Sequence, residues 1–218
     1  MAGIITALKI QKRDKERVNV FVDDEFAFAV TMLVAAKLRK GQHLSDAEIE
    51  SLKQGDQRDK AYNRAVHFLS FRPRSQAEVA RYLSEKEYSE AIIEEVINRL
   101  TQQKYLDDEA FARFWLEDRD RFRPKGVRAL RYELGQKGID HKIIEVVLAD
   151  VDEEEAAWAA VEKKINQWRN LGDDTLKKKV ISFLSRRGFG YDVARQTFER
   201  LCTVLEIPET SDTDLEEF

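Results

Sequence analysis

The chain has few of the residues that staple, break or punctuate a fold: one cysteine, three prolines and nine glycines among 218 residues. A single thiol, Cys202, excludes an internal disulfide framework. Three scattered histidines, His43, His67 and His141, have no metal-ligand spacing, so neither a structural zinc nor any other cofactor is expected. No apolar run approaches the roughly 20 residues of a membrane span. The opening MAGIITALKI has no basic segment ahead of an apolar one, so a cytoplasmic protein without a membrane partner is expected. Scarce Pro and Gly leave few places to interrupt a helix. The apolar fraction of 43% fills a sizeable core, and the charged fraction of 36% compares with roughly 25% in ordinary globular domains, which predicts a mainly α protein with solvated faces.

The net charge of -4 hides strong polarity along the chain. The tail from Pro208 to Phe218 carries five acids and no base, which leaves +1 for the remainder. It reads as a solubilising segment rather than a polyanion mimic. Between Arg119 and Lys142 eight basic residues face three acids, and Lys177 to Arg187 adds five bases with no acid. Such patches suit a polyanion or an acidic protein surface.

The two phrases FRPRSQAEVARYL and FRPKGVRALRYEL open an internal repeat. Leu83, Leu134 and Leu184 are spaced by 51 and 50 residues, and each follows an aliphatic residue four positions back: Val79, Leu130 and Val180. That spacing marks one helix face written three times. Five residues after each leucine come Tyr88, Ile139 and Phe189, and the next positions are Ser89, Asp140 and Gly190, suited to capping a second helix. Apolar positions recur at Ile92, Ile143 and Val193, at Ile97, Leu148 and Phe198, and at Leu100, Val151 and Leu201. Gly138 and Gly188 stand where a helix would close in the left-handed conformation, and Glu87 takes that place in the first copy. A first helix precedes each pair, over about Asp59 to Phe71, Glu109 to Phe122 and Glu153 to Asn170, with Asp107 or Asp108 and Asp173 or Asp174 as caps. Pro73 and Pro124 end the first helix in copies one and two and force a turn. Ser75 and Glu78 form a capping box.

The first 55 residues read differently. Alternation in Val18, Val20 and Val22, and in Phe26, Phe28 and Val30, predicts two strands around Asp23-Asp24, after a strand from Ile4 to Gln11. A short helix over Thr31 to Arg39 and a capped helix from Ser45 to about Lys53 follow. The expected organisation is therefore a β meander with short helices (1–55), three-helix repeats at 56–106, 107–152 and 153–207, and the acidic tail 208–218. The fold class is mainly α, with three tandem three-helix repeats in an elongated array behind a small N-terminal β meander.

Catalysis has no candidate residues. No phosphate-binding glycine loop, nucleophile elbow or paired-histidine motif occurs. The two DDE stretches, Asp23 to Glu25 and Asp107 to Glu109, point adjacent acids in diverging directions and sit where a turn or cap needs Asp, so no metal is assigned to them. Phe111, Trp115 and Phe122 recur at helical spacing, and they read with Phe114, Trp158 and Trp168 as core rather than base-stacking platforms. The candidate binding residues are basic and fall in corresponding segments: Arg72, Arg74 and Arg81; Arg121, Arg123, Lys125, Arg128 and Arg131; Lys177, Lys178, Lys179, Arg186 and Arg187. Arg128 and Arg131 are one turn apart and can face one anion.

The segments VFVDDEFAFAV, RPRSQAEVARYL, YLDDEAFARFW and GVRALRYELGQKGI resemble the RecX family, regulators of the bacterial RecA recombinase, over nearly the whole chain. The resemblance implies tandem three-helix repeats and a non-enzymatic protein. Its implied partner is the RecA filament on single-stranded DNA, bound in the helical groove, with suppression of ATP hydrolysis, strand exchange and coprotease activity. A monomer is expected. Two readings from the residues themselves stay open beside it: a helical protein that binds nucleic acid directly, since such units resemble helix-turn-helix readers, and a helical-repeat scaffold for another protein.

Overall fold

Alternation builds the N-terminal sheet. The computed structural model describes residues 2–12 and 14–205, so the acidic tail lies outside the described residues. Strands β1 (Gly3–Ile10), β2 (Arg17–Val22) and β3 (Glu25–Thr31) form an antiparallel meander, and a two-residue strand β4 (His43–Leu44) pairs with β1, giving the order β3-β2-β1-β4. Val18, Val20, Val22, Phe28 and Val30 all fall on the buried face. The β4 strand is a correction to the sequence expectation, because two residues are too short to show alternation. The expected turn holds: Asp23 and Asp24 both take positive φ, 48° and 68°, the geometry of a two-residue hairpin. Asp23 Oδ1 accepts from the Ile4 N–H at 3.0 Å, which gives the first DDE stretch a structural role.

Helix α1 (Met32–Ala35) is shorter than the expected Thr31 to Arg39. Helix α2 (Asp46–Leu69) runs unbroken across the interruption expected between Lys53 and Asp59. Gly55 costs such a helix about 1 kcal/mol, but side chains on both sides of it are held. Ile49 packs into the sheet core, Ala61 and Ala65 into the first repeat, and Asp56 pairs with Arg17 of β2 at 2.5 Å and with Lys60 at 2.8 Å. One helix thus serves two cores. Its start is the expected capping box of Ser45 and Glu48.

The repeats follow as α3 (Gln76–Ser84) and α4 (Glu90–Gln102); α5 (Asp108–Phe122), α6 (Val127–Gln136) and α7 (His141–Leu148); and α8 (Glu153–Glu162), α9 (Ile165–Trp168), α10 (Asp173–Ser185) and α11 (Tyr191–Leu205). The aligned aliphatic pairs Val79/Leu83, Leu130/Leu134 and Val180/Leu184 are all buried, one pair in each repeat core. Burying one such side chain contributes roughly 1.5–3 kcal/mol relative to leaving it exposed. The expected single helix from Glu153 to Asn170 is split instead: Lys164 closes a tight turn onto the Val161 carbonyl (2.7 Å), and Trp168 is buried with its ring edge-on to Phe183 at 5.2 Å. Asp107 caps α5 as expected, but Gly172 rather than Asp173 or Asp174 precedes α10, and Asp152 caps α8.

The turn between the second and third helices has one form in all three copies. The Tyr88, Ile139 and Phe189 N–H groups donate to the Leu83, Leu134 and Leu184 carbonyls at 3.3, 3.1 and 3.2 Å. Gly138 and Gly188 take φ 75° and 86°, and Glu87 takes 63°, so the first copy keeps the left-handed closure with a side chain that disfavours it.

By their contacts the described residues separate into two compact units, one running to Arg74 and resuming over 79–106, the other made of 75–78 and the described residues from Asp107 onward.

Candidate binding surface

Glu133 organises the centre of the second repeat. Its carboxylate receives the Trp115 indole N–H at 2.9 Å, the Arg119 guanidinium at 2.8 Å and the Lys125 ammonium. Burial works to raise this carboxyl, but the bonds from Lys125, Arg119 and Trp115 together hold it below its ordinary value. The Arg119 guanidinium and the Lys137 ammonium also lie over the Trp115 ring at 4.1 and 4.8 Å. Lys125 is therefore fastened inside its own repeat. Glu133 stands 18, 14 and 8 residues from Trp115, Arg119 and Lys125, spacings that carried no sequence signal for this arrangement.

The other candidate bases divide by what they touch. Arg131 makes two hydrogen bonds to Glu145, at 2.8 and 3.1 Å, and this bonding, helped by the guanidinium charge, holds the Glu145 carboxyl below its usual range. Arg74 lies over the Phe68 ring at 3.5 Å and donates to the Phe68 carbonyl. Arg187 donates to the Pro124 carbonyl at 3.1 Å and lies over Phe183; burial, and then the neighbouring Arg123, push its pKa down. Arg72 is exposed and bonds the Pro73 carbonyl at 2.9 Å, and Lys177 is half-buried. Arg186 is exposed and donates to the Ser182 hydroxyl at 2.6 Å. Arg81, Arg121, Arg123, Arg128, Lys178 and Lys179 are exposed, and among the described residues none of the six has a carboxylate within ion-pair distance. Of these, Arg128 and Lys178 stand six residues before Leu134 and Leu184, so they occupy the same position in successive repeats.

A second geometry joins helices inside the second of these units, made of residues 75–78 and the described residues from Asp107 onward. Ser75 and Gly126, each eight residues before its repeat's leucine, make equivalent contacts: the Ser75 hydroxyl donates to the Lys137 carbonyl at 2.6 Å, and the Gly126 N–H to the Arg187 carbonyl at 3.0 Å. The next N–H in each case meets the first residue of a following helix, Gln76 to Asp108 and Val127 to Glu153, both at 2.9 Å. Gly138 and Gly188 lie against Ala77 and Ala129 so closely that an added Cβ would fall 2.3 and 2.5 Å from those side chains. The glycines are thus doubly required, by their φ and by this approach. Sequence reasoning saw them only as helix stops.

The aromatic stripe needs a correction. Phe111 is buried and Trp115 half-buried, but Phe122 is 65% exposed and Phe114 44% exposed. Phe122 ends α5 at the Arg123-Pro124 turn, beyond the last turn that faces the repeat core.

Family comparisons match the chain in four consecutive pieces: the regulatory protein RecX N-terminal domain over residues 3–45, and the first, second and third RecX three-helix domains over 61–100, 107–148 and 152–198. Regulatory protein RecX of Bacillus subtilis (strain 168) is 37% identical over 217 residues, 97% of this chain and 81% of that protein. The protein of the same name from Listeria monocytogenes serotype 4a is 30% identical over 95% of this chain and 79% of its own length. A crystal structure of regulatory protein RecX superimposes with a TM-score of 0.73 at 28% identity, over 90% of this chain and 99% of that one. RecX from Lactobacillus salivarius does so with a TM-score of 0.62 at 27% identity, over 68% and 99%. A three-helix unit written three times behind a four-stranded sheet, matched piece by piece along its length, places this chain in the RecX family of regulatory proteins.

Proposed function

We propose that this chain is a non-enzymatic regulator that binds the RecA filament on single-stranded DNA in its groove and inhibits ATP hydrolysis, recombination and coprotease activity. It would act in the cytoplasm as a monomer, organised as the segments 1–55, 56–106, 107–152, 153–207 and 208–218. The observation that carries the reading is the pair Arg128 and Lys178, the same exposed cation in successive repeats, with no carboxylate beside either among the described residues. A repeated unit with a repeated open charge suits a repeated acidic partner. Regulation of this kind requires unequal binding to the active and inactive filament states, since equal affinity for both shifts nothing.

The test is RecA's DNA-dependent ATP hydrolysis during titration with this protein. Loss well below one molecule per RecA means action on filament growth or ends; loss only near saturation means occupancy along the groove. Unchanged hydrolysis overturns the reading. A direct nucleic-acid reader is separated by salt, because it binds DNA alone with a steep salt slope, whereas the regulator needs RecA for tight binding.

A further inference from the structure

Phe71 and Phe122 are both exposed, 71% and 65%, although each belongs to a phrase that the chain repeats. They stand at one register, twelve residues before Leu83 and Leu134, and each is followed by Arg and Pro. Every aligned aliphatic of the Val79/Leu83 type is buried, so repetition at those positions is explained by the core. Repetition of the two phenylalanines is not. Single exposed apolar side chains are ordinary on protein surfaces, but folding gives no reason to place the same large ring, unburied, at the same register twice.

Each ring is also propped by its own helix. His67, one turn back, meets Phe71 edge-to-face at 5.0 Å, and the Arg121 guanidinium lies over Phe122 at 5.4 Å. A ring held this way loses little freedom on burial. An exposed arginine adjoins each ring: Arg72 follows Phe71, and Arg121 and Arg123 flank Phe122, these last two with no ion-pair partner among the described residues. A propped, protruding knob suits a concave apolar site that closes on its edge and remaining face; a stacked base would cover only one face. The third copy has Gly172 at this register, so only two knobs exist.

We propose that Phe71 and Phe122 are equivalent anchors, each inserting into the same apolar, acid-rimmed pocket on different subunits of a repeating protein partner. This rests on the filament reading above and names the residues that would take hold of it.

The experiment measures affinity for the RecA filament, affinity for a naked oligothymidylate, and thermal stability, for the full chain and for Phe71→Ala, Phe122→Ala, Phe71→Leu and Phe122→Leu. Tyr191→Ala is the control: it is 62% exposed, but Glu90 and His141 hold its register in the other copies. Each Ala variant should lose about tenfold or more in filament affinity, as anchors do, with unchanged melting temperature and oligonucleotide binding. The Leu variants, which still fill a pocket, should stay within about threefold, and Tyr191→Ala should bind like the parent. Ala variants that bind normally, or a control that loses as much, overturn the inference. So do Leu variants that fall with Ala while oligonucleotide affinity falls in parallel, the result for base-stacking platforms. A parent chain that ignores the filament removes the proposed function and this inference together; a parent that binds with indifferent variants removes the inference alone.

Discussion

The Ser75 hydroxyl donates to the carbonyl oxygen of Lys137 at 2.6 Å, and it also accepts the Glu78 N–H at 3.1 Å as the cap of α3. One fully buried oxygen therefore closes a helix and satisfies a carbonyl 62 residues away. Ser75→Ala removes both bonds and should lower unfolding free energy by about 1–3 kcal/mol. Gly126→Ala at the equivalent place should cost at least as much, because its Cβ would lie 2.4 Å from the Gly188 carbonyl oxygen, a backbone atom that cannot swing aside. Urea denaturation of both variants checks this, and a loss below about 0.5 kcal/mol in each would show that these joints do not hold the fold.

The closing turns predict effects of opposite sign. Glu87 holds φ 63° in a turn whose counterparts are glycine, so Glu87→Gly should stabilise by about 1 kcal/mol. Gly188→Ala should destabilise, since it combines positive φ with an approach of 2.5 Å to Ala129. Differential scanning calorimetry reads both, as a rise and a fall of melting temperature of several degrees.

Acid should unfasten the second repeat through Glu133. Its carboxyl is held below the ordinary 4.5, so the stability it contributes is present above that value and is lost as pH falls through its lower folded value. Glu133→Gln keeps the shape but not the charge. The variant should be less stable at pH 7, by about 1–3 kcal/mol, and should lose less than the parent on going from pH 5 to pH 3. Parallel stability profiles for the two would exclude Glu133 as the titrating group.

Charge reversal distinguishes open from fastened cations. The double variant Arg128→Glu and Lys178→Glu should reduce filament affinity by about tenfold or more, with a weaker salt dependence and an unchanged melting temperature. Arg131→Glu, in contrast, sets a carboxylate against Glu145 and should show first as lost stability. Equal filament binding by the double variant and the parent would remove Arg128 and Lys178 from the interface.

Much of the architecture was written in local order. The aliphatic pairs ending at Leu83, Leu134 and Leu184, the alternation in β2 and β3, and the capping boxes at Ser45 and Ser75 are short-range patterns whose physics acts within a few residues, so they were readable in one dimension. The left-handed closure was readable at Gly138 and Gly188 and obscured at Glu87, where the same turn persists against the preference of its side chain. What tertiary structure alone decided is long-range: α2 continues past Gly55 because Arg17, from a distant strand, reaches Asp56, and Phe122 leaves the core because its helix outruns the repeat. The candidate bases divide in the same way. Lys125 and Arg131 are equal to Arg128 and Lys178 in composition and charge, but Lys125 meets Glu133 only once the turn before α6 has folded back along that helix, and Arg131 meets Glu145 only when α6 and α7 pack. The free energy of a charge depends on what lies within a few ångströms of it.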